Sequence, residues 1–378
     1  MAVKASGSSL SFSEIETEFG QNNDRDLGEY RVSQTIGGLT NQPLDEGIPQ
    51  PGVGNTTPIR FSDFYSKRLN VVIDYHSGST ENRPTVAKTR YDAAAGTGTH
   101  TVIGGFRTRP ANSGGTKTRI HINKTIGSSN SNVNNCAVRT GTGWNTGTVL
   151  TVEIGSSGAL YGAGGDGGEA GTSDGDASGE AGGTGSSGLG IQYSGTIITN
   201  NGSINAGYGG GGGGGYRKVE REEMFSGPVY AAAGGGGGGG QGLPGGEGLD
   251  GGADGTISAG GNGGAGGENN QAHGGGGGGG AGSTPGEGGL GGNGNNGTDG
   301  TGTVGGNGAS GTHTGSIEGE NNVQGNGGTG GESGAAIRKT NSNITVTISN
   351  DANSALFGGN AQAGDVQGVT NATGVTAG

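Results

Sequence analysis

Three uninterrupted runs of seven glycines, at residues 209–215, 234–240 and 274–280, limit what this chain can become. A run of this kind has no side chain to bury, so no ordinary apolar core can form around it. The text beside the runs keeps a beat of three. Gly242, Gly245, Gly248 and Gly251 are three apart, as are Gly288, Gly291, Gly294, Gly297 and Gly300. Residues 260–268 read as three GGX triplets, ending in Asn262, Ala265 and Glu268. A flexible tether needs no such register. A polyproline-II-type helix does, because it turns once in three residues and rises about 3.1 Å per residue. Its N–H and C=O groups point outward and need partners on neighbouring strands. Close neighbours tolerate only glycine on the touching faces. A GGX segment then suits the rim of a sheaf, and an all-glycine run suits its centre. Seven residues span about 22 Å at that rise, and equal runs fit a sheaf of fixed thickness. The opposing expectation is a disordered low-complexity chain, since ordering each residue costs about 1–2 kcal/mol of backbone entropy.

The glycines are concentrated. Of the 100 in 378 residues, 75 lie between 155 and 340. Charge divides at the same place: residues 1–154 carry a net +2 and residues 155–378 a net −14, which sum to −12. An acidic glycine-rich half argues against nucleic acid as a partner. Collagen fits poorly, because the strict triplet runs are short and nearly free of proline. Calcium-binding nonapeptide repeats fit poorly too, and Asp174, Asp176, Ser178 and Glu180 make only half a calcium loop. The single Cys136 excludes an internal disulfide and reads as a small buried apolar residue. We therefore expect no cofactor and no metal. No apolar run has the length of a signal peptide or a membrane span, so synthesis in a cytosol without secretion is expected.

Four regions follow. Residues 1–68 are polar and carry two similar blocks, Leu10–Ile15 and Ile59–Tyr65, each apolar-x-Phe-Ser-acidic-apolar and each suited to open a short helix. They read as an arm that docks on another protein through Phe12, Ile15, Phe19, Phe61, Phe64 and Tyr65. Residues 69–154 read as a small β-sandwich-like domain, with strands at 69–75, 99–103, 118–122, 136–140 and 148–154. Trp144 and Phe106 are core candidates, and His100 and His121 read as solvent-facing strand positions. Residues 155–340 are the glycine-rich bundle, and 341–378 hold one more strand and a tail. The fold class expected is mainly β and non-regular.

From Ala159 the chain resembles a known family. ALYGAGGDGGEAG, SGTIITNNGSINAGYGGGGGGG and SGAAIRKTNSNITVTISN, with Phe357-Gly358-Gly359 downstream, are similar to the glycine-rich region of bacteriophage tail-fibre proteins. The likeness is to the receptor-recognising adhesins at the tips of T-even-type long tail fibres, and it covers about residues 159–360. It implies a sandwich of polyglycine-II helices whose loops bind a bacterial cell-surface receptor, either a glycan or an outer-membrane protein. It also implies assembly with other virion proteins in the tail, and a homo-oligomer is compatible with that. The 1–154 portion departs from the family pattern.

The interval 216–230 interrupts the glycines and holds three of the five basic residues after position 154. Tyr216, Arg217, Lys218, Arg221, Met224, Phe225 and Tyr230 are the residue types of binding hot spots, so this interval is the first candidate receptor loop. Asn269, Asn270, Gln271, His273 and His313 are secondary candidates. Three functions compete. The leading one is a non-enzymatic tail-fibre or tail-tip adhesin. The second is a structural virion component without a receptor role, and the third is an enzyme acting on surface glycan. For the third, the sequence offers no carboxylate pair, nucleophile elbow or metal set.

Overall fold

The computed structural model describes residues 4–19, 60–66, 70–75, 81–82, 85–86, 100–103, 117–128, 131, 135–142, 144, 147–173, 176–220, 229–314, 322–339, 343–350, 355–357 and 375–377. Apart from one helix, α1 (Phe12–Phe19), and two 3₁₀ turns, these residues form strands and non-regular segments.

The strands wind as coils, each coil laying one strand into each of up to three sheets. The first coil holds β1 (Asn70–Tyr75), β2 (Glu81–Asn82) and β3 (Thr85–Val86), and is followed by β4 (His100–Ile103). The second holds β5 (Lys117–Ile122), β6 (Thr125–Gly127) and β7 (Cys136–Arg139). The third holds β8 (Val149–Ile154), β9 (Ala159–Tyr161) and β10 (Ser187–Ile191). The fourth holds β11 (Thr196–Asn200), β12 (Ser203–Asn205) and, far along the chain, β19 (Ile337–Lys339). The fifth holds β20 (Val346–Asn350) and β21 (Ala355–Phe357). Equivalent strands of successive coils pair in parallel, β1-β5-β8-β11-β20 in one sheet, β2-β6-β9-β12-β21 in the second and β3-β7-β10-β19 in the third. Antiparallel β4 and β22 (Val375–Ala377) flank the first sheet. This is a parallel β-solenoid.

Stacking puts like residues in ladders. Ile120, Val152, Ile198 and Ile348 are register partners in the first sheet. Ile126, Leu160 and Ile204 are partners in the second, and Val138, Leu189 and Ile337 in the third. All belong to one buried apolar cluster inside the solenoid. Each such side chain contributes about 1.5–3 kcal/mol by leaving water.

Two expectations are corrected here. The strands of 69–154 do not form a sandwich of their own. They pair in parallel with one another and with strands from 159–200, on which the strands from 203–205 and 337–357 stack in turn, because each coil is too small to close a core and must stack on the next. His121 does not face solvent: it is 5% exposed, in register between Asp74 and Glu153. A strand flanked on both sides need not expose its outer residues. Cys136 is buried, and Trp144 packs partly buried against the core, donating from Nε1 to the Thr140 carbonyl at 2.7 Å. Phe106 lies outside the described residues.

The glycine-rich chain is inserted into this solenoid, first between β9 and β10 and then between β12 and β19. It runs out and back in segments, and hydrogen bonds tie each segment to its neighbours at every third residue. From the first seven-glycine run, Gly210 and Gly213 donate to Gly183 and Glu180. Gly211 and Gly214 donate to Gly238 and Gly235, and Gly212 and Gly215 to Gly306 and Ala309. The same run accepts from Gly168 and Gly171, from Gly278 and Gly275, and from Gly331 and Gly328. Those six pairs of partners lie on six different segments. The runs at 234–240 and 274–280 likewise bond to segments on all sides. The backbone N–H and C=O groups of 210–215 are thereby all used, which is how a region with almost no apolar area orders itself.

Contact this close is why the positions are glycine. A Cβ on Gly237 would stand 1.9 Å from the Gly211 carbonyl oxygen, and one on Gly213 1.9 Å from that of Glu169. At the rim, polar side chains take the outward N–H groups. Asp166 accepts from Glu247 N at 2.9 Å, Asp250 from Ala170 N at 2.8 Å, Asp254 from Gly248 N at 2.9 Å and Asp299 from Gly288 N at 2.8 Å.

Candidate functional site

The out-and-back path gives the lattice two ends. The connections to the solenoid, near residues 162, 186, 206 and 336, lie at one. At the other lie residues 171–173, 176–178, 216–220, 229–233, 267–274, 311–314 and 322–325. This far end carries two small antiparallel sheets. One is β14-β13-β18, from Val229–Ala232, Arg217–Glu220 and Val323–Gln324. The other is β15-β16-β17, from Glu268–Asn269, Ala272–His273 and Thr312–His313. Side chains of the two sheets meet in a small apolar cluster of Val219, Ala232 and Ala272, with Tyr230 packed on it. Asn269 donates from Nδ2 to the Ala231 carbonyl at 3.3 Å, covering the outer edge of β14.

Alternation along β13 divides the first candidate interval into two faces. Arg217 and Val219 point inward and are 2% and 1% exposed, and Tyr216, just before them, is 5% exposed. Lys218 and Glu220 point outward and pair at 2.5 Å, and this bond raises the Lys218 pKa. Cross-strand partners share a face. Val323 stands opposite Lys218 and Val229 opposite Glu220, and these valines are 37% and 52% exposed. The outer face is therefore a charge pair flanked by two exposed valines. Sequence reasoning singled out neither valine, since valine is not among the residue types of binding hot spots and Val323 sits alone among polar residues. Arg221, Met224 and Phe225 lie outside the described residues.

In the second sheet, Asn269 and Asn270 are exposed at the hairpin turn, where Asn270 has a φ of +47°. Asn tolerates that left-handed conformation better than most residues. Gln271 and His313 are half-buried and His273 is 2% exposed. His273 Nδ1 lies 3.5 Å from Glu268 Oε1, and its Nε2 lies 3.3 Å from Thr314 Oγ1. Arg217 spans the seam between the sheets, with Nη1 3.4 Å from Gln324 Oε1 and Nη2 3.3 Å from His313 Nδ1. Burial, then Arg217, then His273 depress the His313 pKa. The buried side-chain atoms without a hydrogen-bond partner among the described residues are Arg217 Nε, Gln271 Oε1 and His273 Nδ1, all at this end.

The N-terminal candidates divide in the same way. Ile15 and Phe64 are fully buried in the cluster that fills the solenoid, so they pack against the chain's own core. Phe12 and Phe61 meet edge to face with centroids 6.2 Å apart, and Phe61 is 39% exposed. Tyr65 is half-buried and donates from its hydroxyl to the Ser8 carbonyl at 2.7 Å. Phe19 ends α1. Ser11 and Glu14 form a capping box: Ser11 N donates to Glu14 Oε2 at 2.9 Å and Glu14 N to Ser11 Oγ at 3.3 Å. Among the described residues no group of three His, Cys, Asp or Glu side chains is arranged to hold a metal, and no helix is long and apolar enough to cross a membrane.

No curated protein and no solved structure matches the chain. Residues 105–274 match the family model described as Phage tail fibre adhesin Gp38. The matched segment takes in the second and third coils, the first two seven-glycine runs, strands β13 and β14 and the hairpin of β15 and β16. Over residues 105–274 the chain is thus similar to the phage tail-fibre adhesins, a likeness that supports a place in the virion tail and a role in host recognition.

Proposed function

We propose that this chain is a tail-tip adhesin in which the solenoid end faces the particle, the glycine lattice is a polyglycine-II sandwich, and the far end binds the bacterial receptor. The observation that carries the reading is the placement of both small sheets at the lattice end away from the solenoid. A three-residue hydrogen-bond period on six sides supports the polyglycine-II assignment, because that helix repeats every third residue. A backbone lattice is stiff, and a stiff platform lowers the entropy lost when its loops bind.

The contact surface is then the outer face of β14-β13-β18, with Lys218, Val229 and Val323, together with the exposed Asn269 and Asn270. Tyr216 and Arg217 support that surface from beneath. Phe12 and Phe61 are the aromatic pair offered to a neighbouring tail protein. The test is adsorption of phage carrying Val229→Ser with Val323→Ser, neither of which removes a buried group. Loss of adsorption with normal particle assembly is expected. Unchanged adsorption and host range would favour a structural tail component. Phe61→Ser should instead lower incorporation into particles.

A further inference from the structure

We infer that Arg217 and His313 are positioning residues that lock the two tip sheets together, and that the lock closes only on a neutral His313. The inference rests on the reading of this end as the receptor-binding tip.

A guanidinium carries donors and no acceptor. The nitrogen 3.3 Å from Arg217 Nη2 is Nδ1 of His313, so Nδ1 must offer a lone pair and the ring proton belongs on Nε2. Arg217 lies on β13 and reaches Gln324 on β18 of its own sheet, and His313 lies on β17 of the other. One side chain thus spans the seam. It has nowhere else to turn, since Arg217 is 2% exposed and its Nε already lacks a partner.

The charges around His313 are one-sided. Arg217 faces it from β13 and His273 from β16, and both depress its pKa in addition to burial. Glu268 on β15 lies 3.5 Å from His273, and its side chain is 65% exposed. Lys218 and Glu220 pair on the outward side of β13. Gln324 on β18 is neutral, and β14 brings only the phenol of Tyr230. A proton on Nδ1 would set donor against donor and cation beside cation. Acid should therefore part the sheets and disturb the face above them.

The test uses the full chain and compares wild type with His313→Gln, whose amide oxygen can accept from Arg217 at any pH. Amide hydrogen exchange is read at residues 229–232 and 268–273, with both proteins at the same pH so that intrinsic exchange cancels. We expect the ratio of wild-type to variant exchange to rise several-fold between pH 7.5 and 5, because protonation of His313 favours the parted sheets. His273→Gln should keep the wild-type response. A flat ratio, or a response abolished by His273→Gln, overturns the inference. Host adsorption is measured alongside on the same variants. Acid-accelerated exchange with undiminished adsorption would leave the lock standing and remove the receptor reading on which its function depends.

Discussion

A Cβ placed on Gly211 would lie 2.0 Å from the carbonyl oxygen of Gly278, inside any tolerable contact and against backbone that cannot swing away. Gly278 itself donates to the Gly212 carbonyl at 2.8 Å, so moving it aside would break the bonds that hold the two runs together. Gly211→Ala should therefore cost more than about 3 kcal/mol, in the range of severe overpacking and lost buried hydrogen bonds. Gly302 has nothing within 4 Å of its missing Cβ and no left-handed φ. Gly302→Ala should stay within about 0.5 kcal/mol of wild type. Thermal unfolding of the two variants checks the contrast. Equal melting points would mean that the runs are not packed backbone to backbone.

The rim makes a smaller and separate prediction. Asp299 accepts from Gly288 N at 2.8 Å, an N–H that points out of the lattice. Asp299→Ala removes that acceptor and should cost about 1 kcal/mol, the usual net worth of one such bond. Asp299→Asn keeps an oxygen in place and should cost less. The direct measurement is exchange protection at the Gly288 amide, which should fall in the alanine variant and persist in the asparagine one.

Acid should release the N-terminal helix. The Lys4 ammonium bonded to Glu14, and then the backbone N–H of Ser11, hold the Glu14 carboxyl at a pKa of about 2, below its ordinary 4.5. A carboxyl depressed in the folded chain contributes stability above its unfolded pKa. That contribution is lost as pH falls from about 4.5 toward 2. Proteolysis within α1 by an acid-active protease should accelerate through this window in wild type. Lys4→Met should respond less, having already lost the largest cause of the shift.

Much of this molecule was legible in its sequence, and what escaped did so for identifiable reasons. The triplet spacing matches the three-residue period of the backbone hydrogen bonds, because that period is set locally along the chain. The strands at Val149–Ile154 and Val346–Asn350 were readable from alternation. Their parallel relation through β11 was not, since Thr196 pairs with Val346 across more than a hundred residues of glycine-rich insertion. Ile15 and Phe64 looked like a docking patch, because an isolated Phe in a polar arm gives no hint of which core it enters. Arg217 illustrates the opposite limit. Its residue type suggested a receptor contact, while its place in an alternating strand next to Val219 sends it inward. Composition names a hot spot, but only the strand's facing says whether the spot is on the surface or under it.

The solenoid makes the last prediction, and the contrast lies between neighbours. Ile198 stands between Val152 and Ile348 in the inner ladder and is fully buried. Ile197, next to it, faces outward and is 38% exposed. Ile198→Ala should cost about 2–4 kcal/mol, transfer free energy plus the cavity left in a ladder whose rungs cannot close up. Ile197→Thr should be nearly neutral, because threonine keeps the β-branch and the site is half open. The effect of Ile198→Ala should extend into the lattice as well. Coil four supplies both roots of the larger insertion, at β12 and β19, and an unfolded root frees the first and last segments whose partners fill the interior runs. Exchange at Gly210 and Gly331, bonded at 2.8 Å, should therefore rise in Ile198→Ala although neither touches the substitution. If it stays at the wild-type value while the solenoid amides lose protection, the lattice holds itself together independently of the solenoid.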